Sequence, residues 1–114
     1  SFVCAPSFAQ HAAVAALAMD HSAKVDAYRE KRDLIYEGLR GRFNVVKPTG
    51  AFYIFPEAPD GDGDAFVRKA IDNNVLIIPG SVFSDRKTHV RISFAASNET
   101  IKRGVDVLNR IAGD

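Results

Sequence analysis

The 114-residue chain carries 15 basic and 14 acidic side chains for a formal net charge of +1, with 46% hydrophobic and 25% charged residues. That length and composition fit one compact soluble domain spanning residues 1–114. The charges are interspersed, so the basic footprint that phosphate-backbone binding requires is missing and nucleic acid is not an expected partner. No apolar run of about 18 residues exists to cross a bilayer, and the first residues lack the charged flank and cleavage pattern of a secretory signal; no membrane partner and a cytoplasmic location are expected. Cys4 is the single cysteine, which excludes an internal disulfide or a cysteine-rich zinc site and reads as a small buried hydrophobe. The opening Ser1-Phe2-Val3-Cys4-Ala5-Pro6, without an initiator methionine, raises the expectation of a piece of a longer protein, although a processed terminus would look the same.

In chain order, residues 8–19 are Ala-rich, with Phe8, Val14, Leu17 and Met19 spread around the helical circumference, so this helix is expected to be buried nearly all round. A break near Asp20-His21-Ser22 precedes an amphipathic helix bearing Val25, Tyr28, Ile35 and Leu39, running to about Arg40 and stopped by Gly41. Residues 43–46 read as a short strand, and Lys47-Pro48-Thr49-Gly50 as a turn into a second strand over 51–55, closed by Pro56, giving a hairpin. After a polar loop over 57–63, Asp64 is the expected cap of a helix with Phe66, Val67, Ala70 and Ile71 on one face. Val75-Leu76-Ile77-Ile78, ended by Pro79-Gly80, reads as a buried strand. In the strand over 89–95, Val90, Ile92 and Phe94 alternate with His89, Arg91 and Ser93, which places the two sets on opposite faces. Ser97 is the natural cap of a last helix, with Glu99 in its first turn and a stripe of Ile101, Val105, Leu108 and Ile111 or Ala112.

Two helices followed by ββαββα predict an α+β, two-layer fold: a sheet of about four mostly antiparallel strands covered by helices. Such a layout does not define a function. Asp60-Gly61-Asp62-Gly63-Asp64 resembles the start of a calcium loop, but Ala65 stands where the loop needs glycine and Ile71 where it needs an acid, so no metal is expected there. His11, His21 and His89 lack metal-ligand spacing, and no serine sits in a nucleophile elbow. The chain therefore offers no catalytic residue of its own.

Three ordered segments carry a resemblance: Pro48-x-Gly50-Ala51-Phe52-Tyr53-x-Phe55-Pro56, Val75-x-x-x-Pro79-Gly80-x-x-Phe83, and His89-Val90-Arg91-Ile92-Ser93-Phe94-Ala95. With Gln10 in its Ala-rich helix, Tyr28-Arg29-x-Lys31-Arg32-Asp33 and Ser97-x-Glu99, the chain resembles, over nearly its whole length, the C-terminal small domain of class I/II, fold-type-I aminotransferases. The resemblance implies a longer protein in which residues 1–22 form the helix linking to a large domain. That domain would bind pyridoxal 5′-phosphate, the small domain would close over amino-acid and 2-oxo-acid substrates, and the full-length protein would be a homodimer. It further implies that Arg91 grips the substrate α-carboxylate, because a guanidinium offers a planar fork of donors that matches a carboxylate bidentately. Gly50 and Ala51 correspond to small residues that let the backbone approach substrate; Phe52 and Tyr53 lie near the site's mouth or pack beneath it. Ser84 follows Phe83 where many relatives have glycine, which leaves the loop before Arg91 free to take its own course.

The family's cofactor lysine has no counterpart here. Lys24, Lys31, Lys47, Lys69, Lys87 and Lys102 are all expected on solvated faces, turns or loops, so the chain by itself should not transaminate. A stand-alone ligand-binding or regulatory module is the competing class, disfavoured because the apolar first helix would then leave an adhesive patch in water. Within the enzyme class, a related pyridoxal-phosphate lyase or synthase would share the fold and the carboxylate arginine.

Overall fold

The computed structural model describes residues 21–82 and 85–113. The Ala-rich stretch over 8–19, Asp20 and the Phe83-Ser84 pair lie outside the described residues. Helix α1 spans His21–Leu39, so His21 and Ser22, where a break was expected, are already helical. Its apolar stripe works as the spacing predicts: Ile35 and Leu39 are buried and Tyr28 packs against the core. Gly41 lies in the following turn, and the chain folds inward at Phe43, whose amide donates to the Leu39 carbonyl at 2.9 Å and whose ring meets Phe66 edge-on, 5.5 Å between centroids.

Among the described residues the sheet has three strands, close to the expected four and antiparallel as expected: β1 (Tyr53–Ile54), β2 (Ile78–Pro79) and β3 (Val90–Ser93), in the order β1-β3-β2. The expected hairpin is a correction. Residues 43–46 contribute only an isolated bridge from Asn44 to Glu57, because the 51–55 segment turns its hydrogen bonds to β3 instead: Tyr53 pairs with Ser93 and Ile54 with Ile92. The run over 75–78 also departs from expectation. Val75 and Ile77 are buried but Leu76 is 44% exposed, and the strand proper begins only at Ile78. An edge strand covered by helices on one face alternates inward and outward, whatever the apolarity of the outward residue.

Helix α2 spans Gly63–Asp72 and is capped by Asp62, which accepts from the Ala65 amide at 3.0 Å, rather than by Asp64. Asp64 sits inside the first turn and accepts the Ser81 hydroxyl at 2.8 Å. Gly63 explains the earlier start: its amide donates to the Lys87 carbonyl at 2.8 Å, and a β-carbon there would stand 2.5 Å from the His89 carbonyl oxygen, so only glycine lets α2 begin against the 85–89 loop. Phe66, Val67 and Ala70 are buried as expected, but Ile71 is half exposed, lying off the buried face. Helix α3 spans Asn98–Ala112 with Ser97 as cap, its hydroxyl accepting from the Thr100 amide at 3.1 Å, and buries Ile101, Val105, Leu108 and Ile111. Helices α1, α2 and α3 and the inner sheet face (Ile54, Ile77, Val90, Ile92, Phe94) share one apolar core, the two-layer α+β arrangement that the element order implied.

Candidate carboxylate-binding face

Strand β3 is central, so both neighbours fix its backbone and the direction of its side chains. With Val90, Ile92 and Phe94 in the core, Arg91 and Ser93 point to the opposite face. Register carries Tyr53, opposite Ser93, and Ile78, opposite Arg91, to that same face. There the Arg91 guanidinium carbon lies 4.4 Å from the centre of the Tyr53 ring, within the range in which a cation is attracted to an aromatic face.

Backbone hydrogen bonds hold the strand's approach. Ala58 donates to Thr88, Val90 to Pro56 and Gly80 to His89, at 2.8, 3.0 and 2.8 Å. Gly80 is required by packing: a β-carbon there would collide with the Arg86 carbonyl oxygen and stand 2.8 Å from that of His89. Pro79, expected to end the strand, is the last residue of β2, and Gly80 opens a single 3-10 turn over Gly80–Val82.

Of the residues expected to flank the substrate, Gly50 and Ala51 are exposed, with no atom within 4 Å of a β-carbon placed on Gly50. Phe52 is 41% exposed, and its carbonyl accepts the Phe94 amide at 2.8 Å, three residues beyond Arg91. Gly50, Ala51 and Tyr53 help to line a cleft of about 460 Å3 between the 44–51 segment and β1, which also takes in Arg86 and His89. Arg91 is not in that cleft wall; it joins it through Tyr53, the residue common to both. The structure therefore places Phe52 and Tyr53 directly beside the Arg91 strand and puts Gly50 and Ala51 one step further out.

Sequence reasoning missed two residues here. Tyr28 donates its hydroxyl to the Ala51 carbonyl at 3.0 Å and packs on both Phe52 and Phe94. Lys31, one turn later, is half-buried and donates to the Ala96 carbonyl at 2.6 Å and Asn98 Oδ1 at 3.0 Å, a correction to its placement on a solvated face. Their signal was the Tyr28-Arg29-x-Lys31 stretch, legible as a motif but silent on contacts across 65 residues of chain.

The lysines decide whether these residues fit pyridoxal phosphate. Lys47 Nζ bridges to Asp33 at 3.2 Å, Lys69 Nζ donates to the Ile111 carbonyl at 3.0 Å, Lys31 is held as described, and Lys24, Lys87 and Lys102 are exposed. None stands in an enclosed pocket with donors for a phosphate, so the described residues do not fit the cofactor. Asp33 is held below the usual carboxylate range chiefly by the Lys47 hydrogen bond; desolvation, the next effect in size, opposes it, and the Arg32 hydrogen bond and the charges of Lys47 and Arg32 add to the depression. Among the described residues no three His, Cys, Asp or Glu side chains converge, and no helix is long and apolar enough to cross a membrane.

A family model described as aminotransferase class I and II matches residues 1–108. A probable aspartate aminotransferase of Methanocaldococcus jannaschii is 42% identical over 97% of this chain, which spans 31% of that relative. A probable N-acetyl-LL-diaminopimelate aminotransferase of Bacillus subtilis is 36% identical over 92% of the chain and 29% of the relative. The crystal structure of the Thermotoga maritima aspartate aminotransferase superposes with a TM-score of 0.77 at 32% identity, covering 97% of this chain and 30% of that one. The chain belongs to the class I and II aminotransferases, and it spans less than a third of the length of these relatives.

Proposed function

We propose that residues 1–114 are the small, substrate-closing domain of a longer aminotransferase that moves an amino group between an amino acid and a 2-oxo acid. Residues 1–22 lead to the large domain, which carries pyridoxal 5′-phosphate, and the full-length protein is a cytoplasmic homodimer. The family match over residues 1–108, on a chain less than a third as long as its relatives, supports this reading. The six lysines are consistent with a cofactor held elsewhere, since none has the burial and phosphate donors such a site requires.

Arg91 grips the substrate α-carboxylate. The observation that carries this is the position of its guanidinium carbon, 4.4 Å from the Tyr53 centroid on the face of the central strand opposite the core, where a planar donor fork could meet a carboxylate. Gly50 and Ala51 let a substrate approach the backbone, and Phe52, whose ring packs on Tyr28 and Phe94, supports that segment from behind. A charge-assisted hydrogen bond contributes about 1.5–3 kcal/mol, so in the full-length enzyme Arg91→Ala is expected to lower kcat/KM by roughly 10- to 100-fold, mostly through KM. Arg91→Lys should recover only part of this, having charge without the fork. A kcat/KM unchanged in both variants would overturn the role. In parallel, borohydride treatment of this chain with pyridoxal phosphate should trap no stoichiometric adduct; one at a single lysine would mean a cofactor site within the chain.

A further inference from the structure

Tyr28 closes a three-ring cluster that ties helix α1 to the start of β1 and the end of β3, on the face opposite Arg91. Its ring meets Phe52 edge-on at 5.1 Å between centroids (87°) and Phe94 at 5.8 Å, while Phe52 and Phe94 are themselves 5.5 Å apart. Its hydroxyl holds the Ala51 carbonyl at 3.0 Å, and the Phe94 amide holds the Phe52 carbonyl at 2.8 Å. One helical turn on, Lys31 grips the Ala96 carbonyl at 2.6 Å. Helix α1 is therefore bonded to the 50–52 segment through Tyr28 and to the chain just past β3 through Lys31. Gly50 and Ala51 are exposed, and among the described residues no atom lies within 4 Å of a β-carbon position on Gly50. The segment runs directly into β1, where Tyr53 pairs with Ser93 and meets the Arg91 guanidinium, so the ring cluster and the bond from the Tyr28 hydroxyl to the Ala51 carbonyl act on Arg91's neighbour Tyr53 through the chain that leads into it.

From this geometry we infer that Tyr28 is a positioning residue for substrate binding: it holds the Gly50–Phe52 wall at the spacing from Arg91 that a bound α-carboxylate needs. The inference rests on the reading that Arg91 binds that carboxylate. Tyr28 acts through Ala51 and Phe52, and its hydroxyl is taken up by a backbone carbonyl rather than offered to substrate. Aromatic pairs of this kind resist shear because each ring fixes the tilt of the next, so the hydroxyl is needed for the last increment of placement rather than for the packing.

A double-mutant cycle in the full-length, cofactor-loaded enzyme tests this. Tyr28→Phe, Arg91→Lys and the double variant are compared with wild type, using as donor whichever of the twenty amino acids the wild type turns over fastest. Tyr28→Phe keeps the three rings and removes only the hydroxyl, so its melting temperature should stay within about 2 °C of wild type while KM rises about three- to tenfold and kcat falls by less. Arg91→Lys should raise KM further, and adding Tyr28→Phe to it should raise KM by clearly less than in the wild-type background, because a lysine no longer needs the aligned wall. A KM unchanged in Tyr28→Phe, or one raised by the same factor in both backgrounds, overturns the inference while leaving the arginine's role standing. A KM unchanged in Arg91→Lys overturns the carboxylate reading and the inference with it. A fall in melting temperature and kcat with KM unaltered would assign Tyr28 a structural role only, against the inference.

Discussion

Gly38 in α1 and Val105 in α3 touch where the two helices cross: a β-carbon on Gly38 would stand 2.5 Å from Val105 Cγ1 and 3.3 Å from Cγ2. Valine in a helix is nearly restricted to one rotamer, so Val105 cannot swing aside cheaply. Alanine in place of a helical glycine would gain about 0.5–1 kcal/mol of helix propensity, but forcing a methyl into a closed contact costs about 1–3 kcal/mol, and the clash wins. Gly38→Ala is expected to lower stability in urea unfolding, and Val105→Ala in the same chain to restore much of the loss. A Gly38→Ala protein as stable as wild type would show that the helices can part without penalty.

Gly80→Ala should be the more damaging of the two glycine changes for function. The atoms its methyl would meet are the carbonyl oxygens of Arg86 and His89, which cannot rotate away as a side chain can. The hydrogen bond from the Gly80 amide to the His89 carbonyl lies at the entry to β3, so the substitution is expected to destabilise by about 1–3 kcal/mol and, in the full-length enzyme, to raise KM by displacing Arg91. Equal losses of stability with KM unaltered would separate the loop from the site.

Removing the Ser97 hydroxyl takes away the acceptor for the Thr100 amide at the start of α3. Ser97→Ala is expected to cost about 1 kcal/mol, and Ser97→Gly only a few tenths, since glycine frees the amide to solvent. Thermal unfolding of the two variants beside wild type decides this by the order of their midpoints.

The Asp33 carboxyl should titrate below the normal range, and Lys47→Met should move it upward, because the Lys47 hydrogen bond is the leading cause of its depression. A carboxylate whose pKa is lower folded than unfolded binds fewer protons in the native state. Its stabilising contribution is therefore present above the unfolded value and is lost as pH falls through the folded one. The groups are solvent-exposed, so added salt should shrink the effect. Carbon-detected NMR titration of the Asp33 side chain in both proteins measures the shift; identical curves would remove Lys47 as its cause.

Those features of the fold that follow from a repeat of side-chain polarity were readable in the sequence. The stripe of Ile101, Val105, Leu108 and Ile111 and the alternation of Val90, Ile92 and Phe94 with Arg91 both hold in three dimensions, because burial on one side imposes a period that any correct register must respect. What escaped depends on partners distant in sequence. The strand over 51–55 was paired with its nearest neighbour in the chain, whereas its hydrogen bonds go to β3, some forty residues on. The cap of α2 was placed at Asp64 because Asp60, Asp62 and Asp64 are chemically equivalent; the carbonyls of Lys87 and His89 around Gly63 break the tie. Ile71 and Lys31 show the same limit from opposite sides, an apolar residue left half in water and a charged one drawn inward to bare carbonyl and amide oxygens. At the proposed site, Arg91 was legible from its motif, but the Tyr53 stacking and the Tyr28 tether required the register to be known.

Pro79, whose partner across the ladder is Val90, lies in β2 at the outer rim of the described sheet. A rim strand is an open template onto which another extended segment can add, and such addition is how sheets of separate molecules fuse into aggregates. A proline there has no hydrogen on its nitrogen to offer a newcomer, and β2 is only two residues long. A nascent or partly unfolded copy therefore finds no continuous row of donors along β2.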